Sequence, residues 1–138
     1  MRQATGEIDI TTNGPGLYDI TGEARRFAER QKMGEGLLTL FIRHTSASLL
    51  IQENADPDVL ADLQSFFEKI APERAGYRHD AEGPDDMPAH IKAALTQTSL
   101  SIPITRGALG LGTWQGIYVF EHRARPHRRT VLLHLLGD

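Results

Sequence analysis

The sequence predicts one α+β domain, residues 1–138, with a mixed or antiparallel β-sheet and helices interspersed between the strands. Three observations point there. A length of 138 residues suits a single core. Alternating or short apolar runs outnumber segments with helical spacing. Hydrophobic residues at 40% and charged residues at 24% are the proportions of an ordinary globular chain, not of a disordered one.

The elements follow in order. Ile8 and Ile10 alternate with polar neighbours over Gly6 to Thr12, the pattern of a half-buried strand. Gly14-Pro15-Gly16 is a turn. Leu17 to Ile20 is a short strand leading to Thr21, the expected N-cap of a helix over Gly22 to Met33 that Gly34 and Gly36 end. Leu37 to Ile42 is nearly all apolar, as in a central strand buried on both faces, and Ala47 to Ile51 is a second apolar run. Asp56-Pro57 combines a capping carboxylate with proline at the first helical position. Val59, Leu60, Leu63, Phe66, Phe67 and Ile70 then recur at helical spacing until Pro72. A polar loop, Ala75 to Met87, precedes a helix from Pro88 to about Gln97. Strands are expected at Leu100 to Thr105, near Leu109, at Trp114 to His122 and at Val131 to Leu136.

Composition narrows the function classes. With no cysteine, a disulfide framework, thiol catalysis and thiolate zinc sites are excluded, so any metal would be held by His, Asp, Glu, backbone or water. No apolar run approaches the ~20 residues that span a bilayer, and MRQATGEIDI lacks the apolar stretch of a secretory signal. No membrane partner and a cytoplasmic location are therefore expected. A net charge of -3 gives no support for nucleic-acid binding.

Several residues carry the chemistry of a site. His44, His79 and His90 fall where regular elements meet loops, and three protein ligands with an open position are common at catalytic metals. Their wide spacing leaves open that each is a separate surface residue. Asn54 and Asp56 precede a helix, where capping is the ordinary role; supporting a ligand histidine, or an anion at the helix N-terminus, is the alternative. Gly110 to Gly116 is glycine-rich without the lysine and spacing of a phosphate-binding loop. Gln115 and Glu121 share one face of the following strand, which would offer an amide and a carboxylate to a pocket or to solvent. Glu121 to Arg129, EHRARPHRR, concentrates four arginines and two histidines, suited to a small anionic ligand or simply to a solvated turn. His134 alternates with Leu132 and Leu136, as a satisfied or interface histidine would. Ser46 and Ser48 lie near His44, but neither sits in a nucleophile elbow.

HTSASLLIQENADPDVLADL, AHIKAAL and IPITRGALGLGTWQGIYVFEHR, in that order, resemble the YjbQ-type family, whose members are usually called secondary thiamine-phosphate synthases. The resemblance runs from about Gly36 to the C-terminus. It implies a small α+β subunit, a homotrimer with clefts near subunit boundaries, and a polar pocket with a metal-binding histidine cluster. On this chain His44, His79 and His90 would be the ligands of a divalent metal, zinc by their chemistry or magnesium for diphosphate chemistry. Ser46, Asn54, Gln115 and Arg128 would hold a small anionic or phosphorylated substrate, and Asp56, Asp86 and Glu121 are the candidates for acid–base work. The implied reaction joins hydroxymethylpyrimidine diphosphate to thiazole phosphate and releases diphosphate. A metal-assisted hydrolase and a non-catalytic ligand-binding protein are the competing expectations. Pro84-Asp85-Asp86-Met87-Pro88 and the arginine-rich His122 to Arg129 depart from the family's usual motifs, which points to a shifted substrate preference.

Overall fold

Period-two alternation decides the longest pairing. In β8 (His127–Gly137), Arg129, Val131, Leu133 and Leu135 turn inward and their neighbours outward. This strand pairs antiparallel with β1 (Arg2–Thr12), Ile8 opposite Val131. The structure, a computed structural model, describes residues 1–138. After β1 come β2 (Gly16–Asp19), α1 (Thr21–Arg30), β3 (Gly36–Ile42), β4 (Ala47–Glu53), α2 (Pro57–Ile70) and α3 (Asp86–Leu95). Then β5 (Ser99–Thr105), β6 (Ala108–Leu109) and β7 (Gln115–Glu121) lead back to β8.

Two antiparallel sheets form, where the sequence suggested one. The first runs β1-β8-β3-β5-β6, the second β2-β7-β4. Leu38, Leu40, Ile102, Ile104, Leu133 and Leu135 of the first face Leu49, Ile117 and Val119 of the second across one apolar core. Helix α1 closes a side of that core with Ala24, Phe27 and Ala28. Gly6 lets it approach, since a Cβ there would lie 2.6 Å from the Phe27 ring. Helices α2 and α3 cover the other face of the small sheet, where Phe67 meets Phe120 edge-on at 5.4 Å.

Some sequence expectations are corrected. Thr21 is the first helical residue rather than the N-cap; its hydroxyl accepts from Ile117 N, and Asp19 accepts from Thr21 N. Strand β3 is central but not buried on both faces: Leu38, Leu40 and Ile42 are inside, while Leu37 and Phe41 are exposed. The strand buried on both faces is β7, because it lies between the core and the helical layer. No helix is long and apolar enough to cross a membrane.

Candidate functional site

Three chain crossings lie at one end of the molecule, the first made by residues 13–15 between β1 in the large sheet and β2 in the small one. Residues 43–46 carry the chain from β3 in the large sheet to β4 in the small one, and residues 122–126 return it from β7 to β8. Arg129 ties the latter two together by donating from Nη2 to Ser46 O and Oγ. The start of α3 is fastened to the same end. Arg123 binds Asp85 Oδ2 through Nε at 2.8 Å and Asp86 Oδ1 through Nη1 at 2.7 Å.

Here three ligand-type side chains converge. His79 Nε2 lies 2.5 Å and His90 Nε2 3.2 Å from the same oxygen, Asp86 Oδ2. Ligand atoms of the three residues are all within 4.8 Å of one another. Asp86 and His90 reach the same side because they are one helical turn apart on α3. His90 Nδ1 donates to the Thr45 carbonyl at 3.0 Å, which fixes the ring and turns Nε2 toward the carboxylate. His79 comes from the polar loop, whose Tyr77 hydroxyl is bonded to Pro72 O. The bond to Asp86 raises the His79 pKa above the ordinary histidine value. Burial would raise the Asp86 carboxyl, but its bond to His79 and the Arg123 charge hold it below the ordinary carboxylate range.

The expected third histidine is not in this cluster. His44 Nε2 accepts the Thr130 N–H at 2.9 Å, and its ring lies against the Arg129 guanidinium. Burial and that charge push its pKa down. Asp86 takes the place that the sequence reading gave to His44, so the set is two imidazoles and a carboxylate.

Glu121 was expected as a base, and the structure removes that role. Its Oε1 accepts from Thr12 Oγ1 and Arg129 Nε, and its Oε2 from Arg129 Nη2, His122 N and Arg123 N. Every lone pair is used, and the side chain is fully buried. Its face of β7 also carries Ile117 and Val119, so it belongs to the core. Burial would raise its pKa, but the Arg129 and Thr12 bonds hold it low. The pair staples the end of β7 to the start of β8.

Asp56 acts as the cap of α2, accepting from Asp58 N at 2.9 Å while exposed, and makes no contact with the His79–Asp86–His90 group. Asn54 Nδ2 donates to Thr113 O and Gln115 O, and Gln115 Oε1 accepts from Gly112 N. Both amides thus hold the glycine-rich loop rather than pointing at the metal-type cluster. Arg128 is 74% exposed and pairs with Asp9, whereas its neighbour Arg129 is buried against Glu121. Ser46 is buried, with Arg129 as its partner.

Sequence reasoning counted Arg123 and Arg129 within the arginine-rich segment Glu121 to Arg129 but singled out only Arg128. Arg129 was detectable, because it keeps the inward alternation of Val131, Leu133 and Leu135. That reasoning passed over a Ser48–His122 pair at 3.0 Å, which Thr96 extends. Ser48 is 1% exposed, so no substrate reaches that hydroxyl.

The profile of the family described as UPF0047 protein YjbQ-like matches residues 6–138. The chain belongs to the YjbQ/UPF0047 family. A UPF0047 protein of Synechocystis is 52% identical over 139 residues, covering 100% of this chain and 95% of the relative. The YjbQ protein of Salmonella typhimurium is 50% identical, covering 95% and 96%. Among solved structures, a YjbQ/UPF0047 family protein of Clostridium acetobutylicum superposes with a TM-score of 0.88 at 37% identity, covering 94% of this chain and 98% of that one. A protein from Aeropyrum pernix gives 0.90 at 29% identity, covering 98% and 99%. Both solved structures thus share the overall fold of this chain.

Proposed function

We propose that the chain is a metal-dependent enzyme acting on a small phosphorylated molecule, with His79, Asp86 and His90 holding one divalent transition metal. The observation that carries this reading is the orientation of His90. A carbonyl only accepts, so Nδ1 holds the proton and a neutral ring points its Nε2 lone pair at Asp86 Oδ2, 3.2 Å away. Two such lone pairs repel unless a positive centre lies between them. Imidazole and carboxylate donors favour zinc, and three protein ligands leave a position for water or substrate. A bound ion would supply a Lewis acid and an activated water. Arg123 fixes the far oxygen of Asp86, as the outer partner of a ligand does.

The competing account places protons on both rings, which would then share one carboxylate. Elemental mass spectrometry on purified protein separates the two. Near-stoichiometric zinc, lost in His90→Ala, is the expected result. No metal in either protein after incubation with zinc or manganese would overturn the reading.

The resemblance to secondary thiamine-phosphate synthases adds a weak joining of hydroxymethylpyrimidine diphosphate to thiazole phosphate. Diphosphate chemistry usually prefers oxygen-rich magnesium sites, so we take that joining as a side activity. Hydrolysis of a small phosphorylated metabolite is the reaction we put first. Diphosphate release that requires both thiamine precursors would reverse that order. A homotrimer is part of the same proposal, supported by the apolar patch of Leu37, Phe41 and Leu136 on the outer face of the large sheet.

A further inference from the structure

An open cleft of about 460 Å³ is lined by eight residues, none of them acidic, and one of them is Thr45, whose carbonyl holds His90 of the three-residue cluster. Among them are Arg43, His44, Ser46, Thr98 and Arg129. We propose that this cleft binds the phosphate group of a small molecule through Arg129 Nη1, His44 Nδ1, Ser46 Oγ and the Arg43 guanidinium.

The argument begins with two donors that face each other. His44 Nε2 accepts the Thr130 N–H at 2.9 Å, so that nitrogen carries the lone pair and Nδ1 carries the proton. Arg129 Nη1 is 3.4 Å from that Nδ1 and can only donate as well. The contact is therefore not a hydrogen bond between the two groups. It is a pair of N–H donors side by side, which an oxygen anion would bridge.

The remaining atoms of Arg129 are already placed. Nε and Nη2 are committed to Glu121, and Nη2 also reaches Ser46. Only Nη1 is left toward the cleft, and the side chain holding it is 96% buried. Glu121 and Ser46 thus fix the guanidinium without neutralising that edge. Ser46 Oγ accepts from Arg129, and its own hydrogen meets no protein acceptor. Arg43 lines the cleft without an ion-pair partner. A guanidinium edge, an imidazole N–H, a hydroxyl and a second arginine give more donors than one carboxylate can use. They match the several oxygens of a phosphate monoester.

Thr45 connects this cleft to the cluster, because its carbonyl anchors His90. The inference deepens the proposed function and rests on it only for the claim that the bound molecule is a substrate; the anion site stands on its own donors.

The test is isothermal titration calorimetry of inorganic phosphate into the full chain after EDTA treatment and dialysis. One saturable site per chain is expected, tighter for phosphate than for acetate. Arg43→Gln and Ser46→Ala should each weaken it about tenfold, the size of one charge-assisted hydrogen bond, while Arg128→Ala, which breaks only an exposed pair with Asp9, leaves it unchanged. Arg43 is exposed, so its replacement does not endanger folding. No saturable phosphate binding, equal affinity for acetate, or full affinity in both variants would overturn the assignment. Phosphate binding in a chain that takes up no zinc would sink the metal reading and leave this one standing. Zinc uptake without phosphate binding would do the reverse.

Discussion

Replacing His122 with glutamine removes a titration that burial has displaced far from its usual range. The ring is 3% exposed, and its Nε2 lies 3.0 Å from Ser48 Oγ. Burial, reinforced by the Lys92 charge, pushes its pKa down from 6.5 to about 3. In the unfolded chain the ring takes its proton near the ordinary value; in the folded chain it does so only near the lowered one. Between those values the unfolded state binds more protons, so His122 makes stability fall as pH drops through that window and leaves it unaffected above. The slope approaches about 1.4 kcal/mol per pH unit. From about pH 7 to about pH 5 this ring alone removes about 2 kcal/mol. Urea unfolding followed by far-ultraviolet circular dichroism, at one protein concentration, reads the loss in wild type and in His122→Gln. The other titrating groups are common to both and drop out of the comparison. The variant should lose about 2 kcal/mol less than wild type over that interval. Equal pH dependence in the two proteins would refute the reasoning, whatever glutamine does to stability at neutral pH.

Further outcomes follow from the same geometry. Glu121→Ala leaves Arg129 buried without its partner, so unfolding in urea should show a loss of about 3–5 kcal/mol. Asp56→Ala removes only a helix cap, which costs about 1 kcal/mol, and a comparable loss in both variants would contradict these separate roles. Zinc should raise the melting temperature of wild type but not of Asp86→Asn or His90→Ala, by an amount equivalent to about 2.7 kcal/mol at a hundredfold excess over its dissociation constant; equal shifts in all three would place zinc elsewhere. On the proposed homotrimer, light scattering should give a trimeric mass for wild type and a smaller one for Phe41→Asp, whereas a monomeric wild type, or a trimeric mass in both, would overturn a contact on the outer sheet face. Arg128→Ala breaks only an exposed pair with Asp9, so its stability should change by less than about 1 kcal/mol and phosphate binding not at all.

By itself the sequence determined the elements and the family. Alternation in Gly6–Thr12 and Val131–Leu136, Asp56-Pro57 ahead of a helical apolar repeat, and the ordered HTSA, AHIK and LGTWQ motifs are all local signals. Period and turn chemistry reside in neighbouring residues and need no partner to be read. His79, Asp86 and His90 were recognisable as residue types capable of binding metal or moving protons. The sequence began the helix at Pro88 and left Asp86 in the loop, whereas α3 starts at Asp86 and sets it one turn from His90. What the tertiary structure decided is which of these meet. Splitting the strands into two sheets sends the chain across one end three times, and the second and third crossings place Thr45 beneath His90 and Arg123 against Asp86. They also bury Glu121 under five donors and leave His44 beside Arg129, residues separated by 85 positions. Hydrogen-bond saturation and the direction of a lone pair are properties of such long-range neighbours. For that reason a carboxylate that reads as a base along the chain becomes a buried staple, and a histidine that reads as a ligand becomes an N–H donor.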